Sequence, residues 1–133
     1  MQINLEEFNS ITYKIIGCAT KVHSTLGNGF QEIIYQRALE MEFENSQLFF
    51  EREKTMPVMY EGKQIGDRRV DFLVEHKVLV ELKALTKVED VHLAQALNYL
   101  EAFGLRVALL INFGAKKLEY NRLLNNKTFY NEK

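Results

Sequence analysis

Arg69-Val70-Asp71-Phe72-Leu73-Val74 is followed by Glu75-His76-Lys77 and then by Val78-Leu79-Val80-Glu81-Leu82-Lys83. Two short runs rich in β-branched residues thus flank a polar tripeptide, a pattern that predicts a β-hairpin with a three-residue loop. If Val74 pairs with Val78, the rest of the register follows, because successive side chains point to opposite faces of a strand. Phe72 then faces Val80, and Asp71 faces Glu81.

This register divides the hairpin into two faces. One face is apolar and carries Val70, Phe72, Val74, Val78, Val80 and Leu82; the other carries Arg69, Asp71, Leu73, Leu79, Glu81 and Lys83. Carboxylates that face each other across two strands stand roughly 5 Å apart at Cβ and repel unless something neutralises them. Hard divalent cations bind carboxylate oxygens, so Asp71 and Glu81 predict a cation site. The alternative is a solvated charged face with two cross-strand ion pairs.

The composition predicts one globular domain over residues 1–133, since hydrophobic residues make up 47% and charged residues 26%. No apolar run approaches the roughly 20 residues that cross a bilayer, and the N-terminus lacks the features of a signal peptide. The single cysteine, Cys18, fits a reducing compartment and is expected to serve packing alone. We therefore expect a cytoplasmic protein that makes no membrane contact.

The formal net charge of −1 gives no general attraction to phosphate backbones. Contact with nucleic acid would therefore depend on local basic residues, or on the positive charge that a bound metal brings. Arg68, Arg69 and Lys87 are candidates for phosphate contacts, although a solvated surface explains them equally well.

The periodicity of apolar residues predicts eight elements. Helices are expected over residues 5–26, 30–45 and 88–103, and strands over 48–60, 64–74, 78–85, 105–113 and 118–124. A helix between the hairpin and the buried strand 105–113 predicts that this strand pairs in parallel with the hairpin. The result is an α/β fold with a mixed sheet in the order α-α-β-β-β-α-β-β. The polar tail from about residue 125 is expected to fray.

Two helices have predicted core positions. In the second helix these are Ile34, Ala38, Met41 and Phe43; in the third they are Val91, Ala94, Leu97 and Leu100. On the third helix, Gln95 and Tyr99 fall on a stripe beside the apolar one.

Several of these residues form a familiar set. Gly29-Phe30-Gln31-Glu32-Ile33-Ile34-Tyr35 matches the Gly-x-x-Glu-x-x-Tyr signature of the small bacterial family of GxxExxY proteins. Asp71, Glu81-Leu82-Lys83 and Gln95-x-x-x-Tyr99 together resemble the PD-(D/E)xK nuclease superfamily, to which that family is assigned. The likeness covers about residues 5–124. Val70 stands where the superfamily's name has proline.

The resemblance implies a restriction-endonuclease-like core, a mixed sheet flanked by helices, that hydrolyses phosphodiester bonds of DNA or RNA with Mg²⁺. Mn²⁺ is the expected substitute. By this likeness Asp71 and Glu81 bind the metal together with the backbone carbonyl of Leu82, and Glu32 binds it directly or through water. Oxygen ligands of this kind suit magnesium.

The same resemblance gives supporting roles to four further residues. Lys83 would orient or deprotonate the attacking water and stabilise developing charge. Gln95 and Tyr99 would face the site from the third helix, and Tyr35 would brace Glu32.

Two other function classes are compatible with these residues: a non-catalytic nucleic-acid-binding module that retains the fold, and a protein-interaction subunit whose acidic cluster is structural. A chain of 133 residues leaves little room for a specificity domain. A homodimer, or a partner protein that supplies recognition, is therefore an expectation in each case.

Overall fold

A computed structural model describes residues 5–126 of the chain. The elements are α1 (Glu6–Leu26), α2 (Glu32–Asn45), β1 (Phe50–Tyr60), β2 (Lys63–Val74), β3 (Val78–Lys83), α3 (Asp90–Ala102), β4 (Val107–Asn112) and β5 (Glu119–Leu124). The predicted order and the α/β class are confirmed, and the element ends differ from the predicted ones by a few residues. None of the helices in this part of the chain is long and apolar enough to cross a membrane.

The five strands form one sheet in the order β1-β2-β3-β4-β5. β3 and β4 are parallel and the other neighbours are antiparallel, so the predicted crossover through α3 is confirmed. Helices α1 and α2 cover one face of the sheet through the larger core cluster, in which Phe43 packs against Phe72. Helix α3 covers the other face through a smaller cluster that contains Leu79 and Leu100.

The hairpin has the predicted register between Phe72 and Val80 and between Val74 and Val78. Its loop is the predicted tripeptide, and Glu75 and His76 take left-handed backbone conformations there, with φ of 54° and 59°. The β2–β3 ladder ends at Phe72, so the backbone of Asp71 does not pair with that of Glu81. Beyond this point β2 separates from β3 and continues only with β1, as an exposed two-stranded ribbon.

The prediction that Val70 shares the face of Phe72 is wrong. Val70 packs in the cluster of Leu79 and Leu100, on the α3 side of the sheet. The strands are irregular at this point, since Glu53 of β1, which lies between the residues paired with Phe72 and Val70, has a φ of 53°. This distortion, together with the departure of β2 from β3, breaks the simple alternation of side chains.

The predicted core positions of two helices need correction. In α2 the buried residues are Tyr35, Gln36, Leu39 and Phe43, whereas Ile34 and Met41 are exposed. In α3 the buried residues are Ala96 and Leu100, whereas Val91 and Ala94 are exposed. In both helices the apolar residues form two adjacent stripes along the helix surface. The stripe that is buried is the one that includes Gln36 in α2 and Ala96 in α3.

Asn125, the expected start of the frayed tail, is buried. Its backbone N–H donates to the carbonyl of Arg106, and its side-chain amide donates to the carbonyl of Leu105 at 3.0 Å. The rest of the expected tail, residues 127–133, lies outside the described residues. The assignment of residues 1–133 to one domain therefore stays a prediction.

Candidate active site

Asp71 occupies the point where β2 leaves β3. Its Oδ2 accepts a hydrogen bond of 2.8 Å from the backbone N–H of Leu82. This hydrogen bond lies just beyond the last paired residues of the β2–β3 ladder. Its Oδ1 accepts a second hydrogen bond of 2.8 Å from Nε2 of Gln36 on α2. Each oxygen keeps a further lone pair. The carboxylate is therefore held between α2 and β3 while it can still bind another group.

Glu81 of β3 meets Asp71 through its side chain. The Glu81 carboxyl is buried, with 7% of the residue exposed, and it is hydrogen-bonded to Asp71. Burial, that hydrogen bond and the charge of Asp71 raise the pKa of Glu81 to about 9, against the opposing charges of Arg68 and Lys83. Oε1 of Glu81 is buried and forms no hydrogen bond within residues 5–126. The two carboxyl groups therefore lie together, and the raised pKa of Glu81 favours its neutral form beside Asp71.

Glu32 comes to the same place from the first turn of α2. Partial desolvation and the charge of Asp71 raise its pKa, and the charge of Lys83 lowers it. The charges of Asp71 and Lys83 therefore reach Glu32 in the folded chain, although 39 residues separate it from Asp71 in the sequence. Glu32 thus lies within electrostatic range of Asp71, and its role as a ligand stays a prediction.

Lys83 ends β3 two residues after Glu81. Its Nζ donates a hydrogen bond of 3.4 Å to Oε1 of Gln95, which lies exposed on α3. Among the described residues Lys83 has no carboxylate within ion-pair distance. Its ammonium group is therefore oriented by a neutral partner, Gln95, and it lies within electrostatic range of Glu81.

Tyr99, one turn after Gln95, lies beside Arg68 of the ribbon. The guanidinium carbon of Arg68 stands 4.9 Å from the centre of the Tyr99 ring, within the range of a cation–π interaction. The ring also stacks on Phe103 at 6.0 Å. Tyr99 therefore contacts Arg68, which lines the cleft beside Asp71, and a direct role of Tyr99 at the site stays a prediction.

The expectation that Tyr35 braces Glu32 needs correction. The Tyr35 hydroxyl donates to the carbonyl of Gly27 at 2.7 Å and accepts from the N–H of Phe30 at 3.1 Å. Its ring stacks on Phe113 at 4.6 Å. Tyr35 is fully buried and closes the loop that precedes α2, so it sets where the helix begins and acts on Glu32 only through the backbone.

The other two basic candidates lie near carboxylates, but only Arg69 forms an ion pair. Arg69 lies 3.6 Å from Glu53 in an ion pair on the ribbon. Lys87 interacts with Glu119, whose pKa is lowered chiefly by hydrogen bonds from Asn112 and from the backbone N–H of Val88. Arg68, like Lys87, forms no ion pair with a carboxylate in the described part of the chain. It differs from both in lying over the ring of Tyr99.

Gln36 is the site residue that sequence analysis missed. It is buried, with 4% exposed, and while its Nε2 bonds Asp71 its Oε1 accepts a hydrogen bond of 2.9 Å from Arg52 of β1. Arg52 is held in turn by Glu40, 3.3 Å away. A signal was available, since Gln36 follows Glu32 by four residues and so lies on the same face of the helix.

Within residues 5–126 no group of three or more His, Cys, Asp and Glu side chains is arranged to hold a metal ion. The chemistry of the two facing carboxyl groups nevertheless fits a divalent cation that takes its other ligands from water. The buried, unpartnered Oε1 of Glu81 is a vacant acceptor beside the Asp71 carboxylate. Glu32 lies near enough for its charge to interact with that of Asp71. In proteins Mg²⁺ is usually bound by only a few carboxylates and keeps water molecules as its other ligands.

An open cleft of about 600 Å³ borders Asp71 along the ribbon. The lining residues are Glu53, Thr55, Asp67, Arg68, Arg69, Val70 and Asp71. The strand beside the cleft is exposed from Lys63 to Arg69, so solvent reaches this side of the ribbon.

A family model of the PD-(D/E)XK nuclease superfamily matches residues 9–123 of the chain. The chain therefore belongs to this superfamily, and the match spans the site from Glu32 to Tyr99. Searches of the curated proteins and of the solved structures each found no match.

Proposed function

We propose that this protein is a metal-dependent nuclease of the GxxExxY type, which hydrolyses phosphodiester bonds of DNA or RNA with Mg²⁺, or with Mn²⁺ in its place. One observation carries the proposal: the carboxyl groups of Asp71 and Glu81 lie in hydrogen-bond contact, one buried oxygen of Glu81 has no partner in the described residues, and Lys83 stands beside them. Repelling acids of this kind are costly unless a cation or a proton neutralises them.

Four groups would hold the cation. These are the carboxylates of Asp71 and Glu81, the backbone carbonyl of Leu82 and, directly or through water, the carboxylate of Glu32. A bound divalent cation supplies charge neutralisation at the phosphate and a more acidic water at neutral pH. The hydrogen bond from Gln36 would fix the orientation of the Asp71 carboxylate.

Lys83 would act on the phosphate and the attacking water. A protonated amine has three N–H donors and no lone pair, so Lys83 cannot serve as a ligand in that state. It can donate hydrogen bonds to a phosphate oxygen, and it can orient the water on the side that Gln95 leaves open. We expect this positioned charge to stabilise the transition state more than the ground state, since negative charge grows on the phosphoryl oxygens as the bond breaks.

The test combines metal binding with cleavage. Mn²⁺ is titrated calorimetrically into the wild type and into Glu81→Gln, and both proteins are incubated with labelled DNA and RNA in Mg²⁺ or in EDTA. We expect wild-type binding that Glu81→Gln abolishes, and cleavage that needs both Mg²⁺ and Glu81. If the wild type binds the metal and cuts neither polymer, the non-catalytic binding module becomes the better interpretation.

Two further expectations belong to this proposal. A second copy of the chain or a partner protein would supply recognition, and light scattering of the purified protein tests for the homodimer. A cytoplasmic location, which the single buried Cys18 favours, is tested by fractionation of the cells that express the protein.

A further inference from the structure

Arg68 and Arg69 are adjacent exposed arginines with different surroundings. Arg69 is paired with Glu53 at 3.6 Å. Arg68, by contrast, stands over the ring of Tyr99 and has no carboxylate at ion-pair distance within residues 5–126. A guanidinium group that lies over an aromatic face is held in position while the N–H donors at its edge remain available to an anion.

Arg68 is also close to the proposed reaction centre. It lines the cleft that borders Asp71, and its charge reaches the Glu81 carboxyl, as that of Lys83 does. Arg68 comes from the ribbon and Lys83 from β3, so two cations from different strands lie around the carboxyl pair. A chain of phosphates that enters the cleft would meet both of them.

We infer that Arg68, held in place by Tyr99, binds a phosphate of the nucleic acid next to the phosphodiester that is cut. This inference rests on the proposed function, and it names Arg68, rather than Arg69 or Lys87, as the residue that fixes the position of the backbone. The planar fork of the guanidinium can bind two oxygens of one phosphate, which a lysine cannot do.

The test measures binding separately from cleavage. Fluorescence anisotropy gives the affinity for a labelled single-stranded DNA oligonucleotide and for its duplex, over a series of salt concentrations. Ca²⁺ replaces Mg²⁺ as a hard cation for the oxygen ligands, and a gel verifies that the DNA stays intact. The variants are Arg68→Ala, Arg68→Lys, Tyr99→Leu, the double variant Arg68→Ala/Tyr99→Leu, and Arg69→Ala as the matched control of equal charge change.

We expect Arg68→Ala to weaken binding about tenfold or more, as loss of a charged hydrogen bond does, and to lower the salt slope of log K by about 1. Arg68→Lys should recover only part of the affinity. The effects of Arg68→Ala and Tyr99→Leu should be less than additive in the double variant, because both act through one contact. Additive effects would mean that Tyr99 supports the fold and not the arginine.

Three results separate this inference from the proposed function. Equal losses for Arg68→Ala and Arg69→Ala, in a wild type that binds and cuts, overturn the role of Arg68 alone. Binding that depends on Arg68, in a wild type that never cuts, supports the inference and overturns the nuclease. A wild type that binds neither form of the DNA, nor a labelled RNA of the same length, overturns both.

Discussion

Nε2 of Gln36 lies 2.8 Å from Oδ1 of Asp71, and this hydrogen bond ties the proposed metal-binding strand to α2. The other end of the same amide accepts a hydrogen bond from Arg52 of β1. One buried side chain thus joins three elements at the site. Partners that orient a metal-binding carboxylate in this way influence metal affinity even though they do not touch the metal.

Gln36→Leu removes both hydrogen bonds and keeps most of the side-chain volume. We expect the affinity for Mn²⁺ to fall about 10- to 100-fold, which is typical when such an orienting partner is lost. The free energy of unfolding should also fall, by about 1–3 kcal/mol, because Arg52 loses a buried partner. Calorimetric titration and chemical denaturation measure the two effects.

Gln64→Leu is the matched control, since Gln64 is exposed on the ribbon. It should leave both quantities unchanged. A Gln36→Leu variant that loses stability but binds Mn²⁺ as tightly as the wild type would restrict Gln36 to a structural role.

The raised pKa of Glu81 predicts that the metal-free protein loses stability as the pH rises. From the ordinary value of 4.5 up to about 9, folded Glu81 keeps a proton that the unfolded chain has released. Stability from this group is complete below 4.5 and is lost as the pH rises through about 9, by at most about 1.4 kcal/mol per pH unit. Thermal unfolding in EDTA at pH 6 and at pH 9 measures the difference.

Glu81→Gln imitates the protonated carboxyl, so its unfolding temperature should change less between the two pH values. The same variant should no longer gain stability from Mg²⁺, because a ligand stabilises only the state that binds it. Glu44→Gln, at an exposed residue of α2, controls for the change in net charge. Parallel pH profiles for the wild type and Glu81→Gln would contradict the buried proton.

The hairpin was predictable because its pattern is local. Alternating apolar residues and a three-residue loop fix the register from Phe72 to Val80, and Asp71 and Glu81 then meet through their side chains just beyond the last paired residues. The position of Glu32 could not be derived from periodicity, since it depends on how α2 packs on the sheet. It followed only from the resemblance of residues 29–35 to a known motif.

Sequence analysis failed where tertiary contacts override the local pattern. Gln36 was passed over because a polar residue is not expected in a helix core, yet it is buried where Asp71 and Arg52 can satisfy its amide. Val70 was assigned to the wrong face because the distortion at Glu53 depends on pairing between β1 and β2. The pattern of apolar residues alone contains no signal that would correct either error.

Gly114 fixes the path of the chain that follows Lys83. A Cβ on Gly114 would lie 2.4 Å from the backbone nitrogen of Leu85, where backbone atoms cannot give way cheaply. Asn112 holds the same segment with hydrogen bonds of 2.8 and 2.9 Å to the N–H and the carbonyl of Leu85. Gly114→Ala should therefore lower the free energy of unfolding by about 1–3 kcal/mol.

Gly17→Ala is the matched control, because Gly17 is exposed in α1 and an added Cβ meets nothing within 4 Å. It should raise the free energy of unfolding by about 0.5–1 kcal/mol, since alanine favours the helix. Urea denaturation of both variants tests the pair. Equal effects of the two substitutions would mean that the segment after Lys83 adapts freely.

Lys83 separates catalysis from metal binding. Lys83→Ala should leave the affinity for Mn²⁺ intact or raise it, because a positive charge near the carboxyl pair opposes a cation. Cleavage should nevertheless fall by roughly 10² to 10⁴, the range for loss of a positioned proton-transfer or charge-stabilising group. Calorimetric titration and single-turnover cleavage of labelled DNA measure the two quantities.

Lys87→Ala removes the same charge four residues further along, where the lysine interacts with Glu119, so it controls for general electrostatic attraction of the substrate. It should cut nearly as fast as the wild type.

The cleavage rate of Gln95→Ala should lie between those of Lys83→Ala and Lys87→Ala, since this substitution frees the Lys83 ammonium group without removing it. Circular dichroism of all three variants checks that a loss of cleavage is not caused by unfolding. If Lys83→Ala and Lys87→Ala cut equally fast, Lys83 attracts the substrate only through its charge, and the attacking water must be oriented by another group.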